Sequence, residues 1–121
     1  MQRFAELPPD EFAAALTARP VPYVLDVRTA EEFEAGHVPG SRWIHVHEIG
    51  RRQADLPTSR ILRILLVGDG GKRTRAAATW FVLMGYADVA ALAGGFTAWT
   101  GAIETGPAAP PKPRGPELRV L

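Results

Sequence analysis

Apolar residues fall along this chain in short blocks of two kinds. Residues 22–27 (PYVLDV) and 61–67 (ILRILLV) are brief aliphatic runs bounded by chain breakers, the pattern of strands buried on both faces. Residues 41–46 (SRWIHV) predict a third strand, and residues 89–92 a weaker one. Between them the apolar positions take on helical spacing. Pro8 and Pro9 followed by Asp10 and Glu11 give an acidic, proline-led helix start, and Arg19 with Pro20 ends that helix after about Ala18. Thr29-Ala30-Glu31-Glu32 reads as a capping box on a helix that Gly36 stops. From Thr74 onward, Ala77, Trp80, Phe81 and Met84 recur at helical spacing, and Gly85 is placed as a C-terminal cap. Strand and helix alternating in this order predict an α/β fold, a mostly parallel sheet flanked by helices on both faces.

The chain of 121 residues, 46% hydrophobic, suits a single core. We expect the folded domain to span residues 1–106. Residues 107–121 (PAAPPKPRGPELRVL) form a proline-rich tail, expected to be disordered, in which Pro107, Pro110, Pro113 and Pro116 recur every third residue. In a polyproline II helix those four would share one edge, so a recognition segment is the alternative. Leu118 to Leu121 could dock on a sheet edge.

With 14 basic and 13 acidic residues the net charge is +1, which argues against a nucleic-acid partner. The opening MQRFAELPPDEF has no apolar stretch of signal-peptide type, and no run is long enough to cross a membrane, so a cytoplasmic protein without membrane contact is expected. The chain has no cysteine, which removes disulfides, zinc-thiolate sites and thiol catalysis together.

The candidate chemistry lies in VGDGGKRTRAAA, between the strand at 61–67 and the alanine-rich helix. A phosphate-binding P-loop needs a glycine at the position of Leu66 and a hydroxyl residue at that of Arg73. A dinucleotide fingerprint from Gly68 needs a glycine at Arg73. Both templates fail.

A different template fits. Leu25-Asp26-Val27-Arg28, Glu32-Phe33, the segment Gly36-His37-Val38-Pro39-Gly40-Ser41, the loop Gly71-Lys72-Arg73-Thr74, and Leu92-Ala93-Gly94-Gly95-Phe96-Thr97-Ala98-Trp99 together resemble the signatures of rhodanese-like domains. The resemblance covers about residues 4–101. It implies a three-layer α/β domain with a five-stranded, mostly parallel sheet, and, in active members, transfer of sulfane sulfur from a donor such as thiosulfate through a cysteine persulfide. In that pattern the cysteine stands three residues before the loop glycine and five before the arginine, which is Gly68 here. Asp69 beside it cannot form a persulfide. As a carboxylate nucleophile it would need a phosphoryl donor and a metal for which no ligand set is visible.

Two readings of the loop stay open. In one, Gly68, Asp69, Gly70, Gly71, Lys72, Arg73 and Thr74 form an anion-binding cradle for sulfate, phosphate, thiosulfate or an anionic group of a protein partner, in a non-catalytic, regulatory or binding domain. Its amides and the start of the helix supply donors, the glycines permit positive φ, and the missing side chain leaves room. In the other, the loop is vestigial and its donors face water. A different class of function is a sulfurtransferase-family enzyme that depends on a partner's thiol. No cofactor or metal is called for. His45 and His47, two apart on the expected strand, could join His37 in chelation, but without a carboxylate or thiolate they read as ordinary hydrogen-bonded or exposed histidines. Asp26 and Arg28 are expected to brace the strand-to-helix connection by a salt bridge. Trp80 and Trp99 are expected in the core, with Trp43 partly at the surface.

Overall fold

A computed structural model describes residues 4–108. The third-residue prolines from Pro110 onward and the docking segment Leu118 to Leu121 lie outside the described residues. The strands are β1 (Ala5–Leu7), β2 (Tyr23–Asp26), β3 (Arg42–Trp43), β4 (Ile64–Val67) and β5 (Val89–Leu92), and the helices are α1 (Pro9–Ala15), α2 (Ala30–Ala35) and α3 (Lys72–Leu83). The strands form one sheet in the order β1-β5-β4-β2-β3, with every pairing parallel.

The all-aliphatic β4 explains the layering. Its successive side chains point to opposite faces, and all four are buried, so apolar layers are required on both sides. Ile64 and Leu66 join a cluster with Leu25, Ala77, Ala78 and Phe81, which seats α3 on one face. Leu65 and Val67 join Phe12, Ala15, Val38 and Leu92, which seats α1 on the other. The helices on both faces and the parallel sheet are those the sequence predicts.

Boundaries differ in ways with local causes. The strand expected over 41–46 stops at Trp43: the His45 imidazole accepts the His47 N–H at 3.1 Å and turns the chain into a 3-10 helix, Val46–Arg51. The run at 61–67 becomes strand only from Ile64, and Ile61 is exposed. The Thr17 hydroxyl bonds the Ala14 carbonyl, and α1 closes at Ala15 rather than Ala18. β1, which has no aliphatic run to announce it, pairs with β5 at the sheet edge. Among the described residues no helix is long and apolar enough to cross a membrane.

The register sets the site. Asp26 pairs with both Val67 and Trp43, so the carboxyl ends of β2, β3 and β4 lie level. The loops that follow them gather at one edge, where α/β sheets place their sites.

Candidate functional site

The loop of residues 68–71 runs from β4 directly into α3. It lies backbone to backbone on the turn after β5. The Phe96 N–H donates to the Gly68 carbonyl at 3.0 Å. Gly70, Gly94 and Gly95 all hold positive φ, at 77°, 79° and 69°. A methyl group on Gly70 would stand 2.6 Å from the Gly94 carbonyl carbon, and one on Gly95 would stand 2.5 Å from the Gly70 nitrogen. Glycine is required on both sides because no side chain fits between the two backbones.

Inside the loop three backbone donors have partners from the loop and the first turn of α3. The Asp69 Oδ1 accepts the N–H of Gly71 at 2.8 Å and of Thr74 at 3.3 Å, and the Gly70 N–H donates to the Thr74 hydroxyl at 2.9 Å. This is an aspartate turn that also caps the first turn of α3. Arg73 closes the outside. Its Nε donates to Asp69 Oδ2 at 3.2 Å, and its two terminal nitrogens donate to the Glu32 carboxylate at 2.7 and 3.1 Å. Glu32 is at the same time the acceptor of the α2 capping box with Thr29, so Arg73 ties the start of α2 to the start of α3.

The room expected beside Gly68 is not open at the Cβ position. The position a Cβ would take on Gly68 is occupied by the buried Thr74 Oγ1. The Gly70 amide donates to Thr74's hydroxyl, and those of Gly71 and Thr74 to Asp69's carboxylate. The expected surplus of positive charge shrinks in the same way, since Glu32 joins Asp69 against Arg73, leaving Lys72 and Arg75 as the cations of the segment with no ion pair among the described residues.

The carboxylates titrate accordingly. The Arg73 guanidinium, helped by the Thr29 N–H and hydroxyl against some desolvation, holds Glu32 down to about 2. Burial works against the charge of Asp69, but the Gly71 N–H, the Arg73 guanidinium and the Thr74 N–H outweigh it and hold Asp69 at about 2. Both carboxylates hold the Arg73 guanidinium above its ordinary range. Because the folded pKa values lie below the unfolded 4.5 and 3.8, this stabilisation is whole above those values and is lost as pH falls toward 2. The side chains are 41% and 30% exposed, so screening cuts each contribution to about 1 kcal/mol. Denaturation followed from pH 6 to pH 2 is expected to show this loss, and Glu32→Gln with Asp69→Asn to flatten it; an equally steep profile in the double variant would refute the assignment.

Asp26 and Arg28 form the brace that was expected. Asp26 is fully buried and accepts the Arg28 backbone N–H at 3.0 Å and its guanidinium at 2.7 to 3.1 Å. Arg28 further donates to the Gly36 carbonyl at 2.8 Å and lies 4.1 Å from the Phe96 ring centre. Trp43, half-buried as expected, donates its indole N–H to the Arg28 carbonyl at 2.8 Å. Trp80 and Trp99, expected in the core, are half-buried at its margins. His37 is buried, stacks on Phe33 at 3.7 Å and donates its Nδ1–H to the Phe33 carbonyl at 2.7 Å. It is remote in role from His45 and His47, and among the described residues no group of three His, Cys, Asp or Glu could hold a metal.

Two participants escaped the sequence reading. Glu32 read as a cap alone, although a carboxylate facing the loop was available to pair Arg73. The Gly94-Gly95 pair was visible as a motif, but its role as the wall behind Gly70 is a tertiary contact.

Comparison with known proteins places these features in a wider set. A family model described as "Rhodanese-like domain" matches residues 8–102. A thiosulfate sulfurtransferase GlpE of Pseudomonas putida is 33% identical over 101 residues, covering 82% of this chain and 87% of that protein. The protein of the same name from Pseudomonas aeruginosa is 35% identical over 78 residues, covering 63% of this chain and 67% of its own. In three dimensions, a rhodanese-like domain protein from Staphylococcus aureus superposes with a TM-score of 0.74 at 23% identity, covering 85% of this chain and 99% of that one, which speaks to the fold alone.

Proposed function

The chain belongs to the rhodanese-like domain family, and from that premise we propose that it is a non-catalytic member, a binding or regulatory module whose sulfur-transfer loop persists as a closed turn. One observation carries this reading. The residue at the cysteine position is Gly68, and the space its side chain would need is taken by Thr74 Oγ1. A sulfur carrier needs a nucleophile that alternates between thiolate and persulfide, and neither Asp69 nor Thr74 can be one. The negative charge that the loop amides are built to hold is supplied by Asp69. A small oxyanion such as sulfate, phosphate or thiosulfate binds those amides only in competition with that carboxylate.

The test is sulfur transfer from thiosulfate to cyanide. The purified chain is expected to form no thiocyanate above the protein-free rate; turnover by the chain alone would overturn the proposal. Gly68→Cys alone is expected to remain inert, because the new side chain meets the Thr74 hydroxyl. Gly68→Cys with Thr74→Ala removes that hydroxyl and leaves Cα and Cβ of residue 74 at 3.2 Å, contacts that a shift of a few tenths of an ångström relieves. That double variant is expected to gain measurable transfer. If the single variant is as active as the double one, the filled cradle is the wrong explanation of the lost activity. Adding a thiol-bearing partner protein to the native chain distinguishes the partner-dependent enzyme: stimulation beyond the partner's own rate would favour it.

A further inference from the structure

Beside the closed loop, between α3 and the 3-10 helix that follows β3, lies a groove of about 380 Å³ whose chemistry the loop reading does not use. Val46, Ile49, Ala76, Ala77 and Trp80 give it apolar walls, and His47, Lys72 and Arg73 complete the lining. Lys72, Ala76 and Trp80 stand at i, i+4 and i+8, so they line one face of α3 over about 12 Å. The middle residue is the small one, which makes the depression: a cation at one end, an indole at the other, and a methyl group between.

Among the described residues, the side-chain donors of Lys72, Trp80 and His47 at this groove have no hydrogen-bond partner within the protein. Arg73 is paired with both Glu32 and Asp69, whereas among the described residues Lys72 has neither an ion pair nor a hydrogen bond. Of the three indoles, those of Trp43 and Trp99 donate to backbone carbonyls, while the Trp80 N–H finds no acceptor among the described residues. Trp80 is nonetheless half-buried and held edge-on against Phe81 with ring centres 5.2 Å apart, so its orientation is fixed by packing. A fixed aromatic wall, a free ammonium group and no carboxylate lining the groove select by charge as well as by shape.

We infer that this groove is a binding site for a small organic anion, one with a flat apolar body that packs on Ala76 and Trp80 and a carboxylate or sulfonate that meets Lys72. The site is separate from the Gly68 position. It needs no displacement of Asp69, and it stands or falls whether or not the loop is catalytically silent.

The experiment uses the full chain labelled with nitrogen-15 and follows its three indole N–H signals, with Trp80→Phe assigning one of them. Titration with 2-naphthoate is expected to shift the Trp80 signal saturably and to leave those of Trp43 and Trp99 in place. Lys72→Ala, and separately the neutral 2-naphthamide as ligand, are each expected to weaken binding about tenfold. Ala76 is exposed on α3, so Ala76→Trp fills the groove without touching the core; it is expected to abolish the shift while the remaining spectrum stays native. Inorganic phosphate is expected to leave the Trp80 signal unmoved. The inference is overturned if 2-naphthoate up to about 10 mM moves no Trp80 signal, if acid and amide bind alike, or if Ala76→Trp binds as the native chain does. A phosphate shift at Gly70 and Gly71 without one at Trp80 would report on the loop and would bear on the proposed function instead.

Discussion

Arg28→Ala is expected to lower the stability of the fold by about 3–5 kcal/mol, a large share of what a domain of this size has. The cost comes from the carboxylate left behind. Asp26 is completely buried at the end of a central strand, and without the guanidinium it keeps only the backbone N–H of residue 28. A buried, unpaired carboxylate either remains charged at high desolvation cost or takes up a proton, and both weaken the folded state. The change also strips the Gly36 carbonyl of its donor and removes the cation from the Phe96 ring. Urea denaturation measures the effect, and a loss under about 1 kcal/mol would show that the pair is ornamental. Replacing both partners by apolar residues, Asp26→Leu with Arg28→Met, is expected to recover part of the loss, since no orphan charge remains. The same pair fixes the position of Phe96, whose N–H holds the Gly68 carbonyl, so a variant that survives should also loosen the loop.

How much of this was legible in the sequence depends on the range of the interaction. The α2 capping box was readable because Thr29 and Glu32 are three residues apart and satisfy each other locally. β2 and β4 were readable because burial on two faces leaves a short, mostly apolar run. β1 was not, because Ala5–Leu7 offers one large apolar residue and owes its strand geometry to β5. The 3-10 helix after β3 was hidden for the opposite reason: His45 and His47 satisfy strand alternation, but a single imidazole-to-backbone bond redirects the chain. In the loop, the convergence of amides followed from glycines at a strand-to-helix junction. What they converge on did not. Whether Thr74 turns its hydroxyl inward or to solvent, and whether Arg73 meets a ligand or Glu32, depends on residues up to 41 positions apart.

Gly95→Ala is the second large effect expected, at least about 3 kcal/mol, and its origin separates contact from conformation. The residue holds φ 69° with ψ −167°, a region nearly confined to glycine, which alone costs an alanine roughly 1–3 kcal/mol. Its added methyl would also meet the Gly70 nitrogen at 2.5 Å, the Gly68 carbonyl oxygen at 2.7 Å and the carbonyl carbon of Asp69. These are backbone atoms, so no rotamer change relieves them; the loop and the turn after β5 must part. Gly40→Ala is the comparison that isolates the conformational share. Gly40 has φ 83° with nothing within 4 Å of an added methyl, so only the backbone preference is lost and the expected cost stays near 1–2 kcal/mol. If the two variants prove equally stable, the packing of the two glycine turns contributes nothing beyond their φ values. The parting also has a local signature. Gly70 and Gly71 amides, protected in the native chain by Thr74 and Asp69, are expected to exchange with solvent faster in Gly95→Ala than the overall loss of stability accounts for. The wall behind the loop and the carboxylate inside it would then be acting as one unit, in which the second glycine turn keeps Asp69 seated on the Gly71 and Thr74 amides.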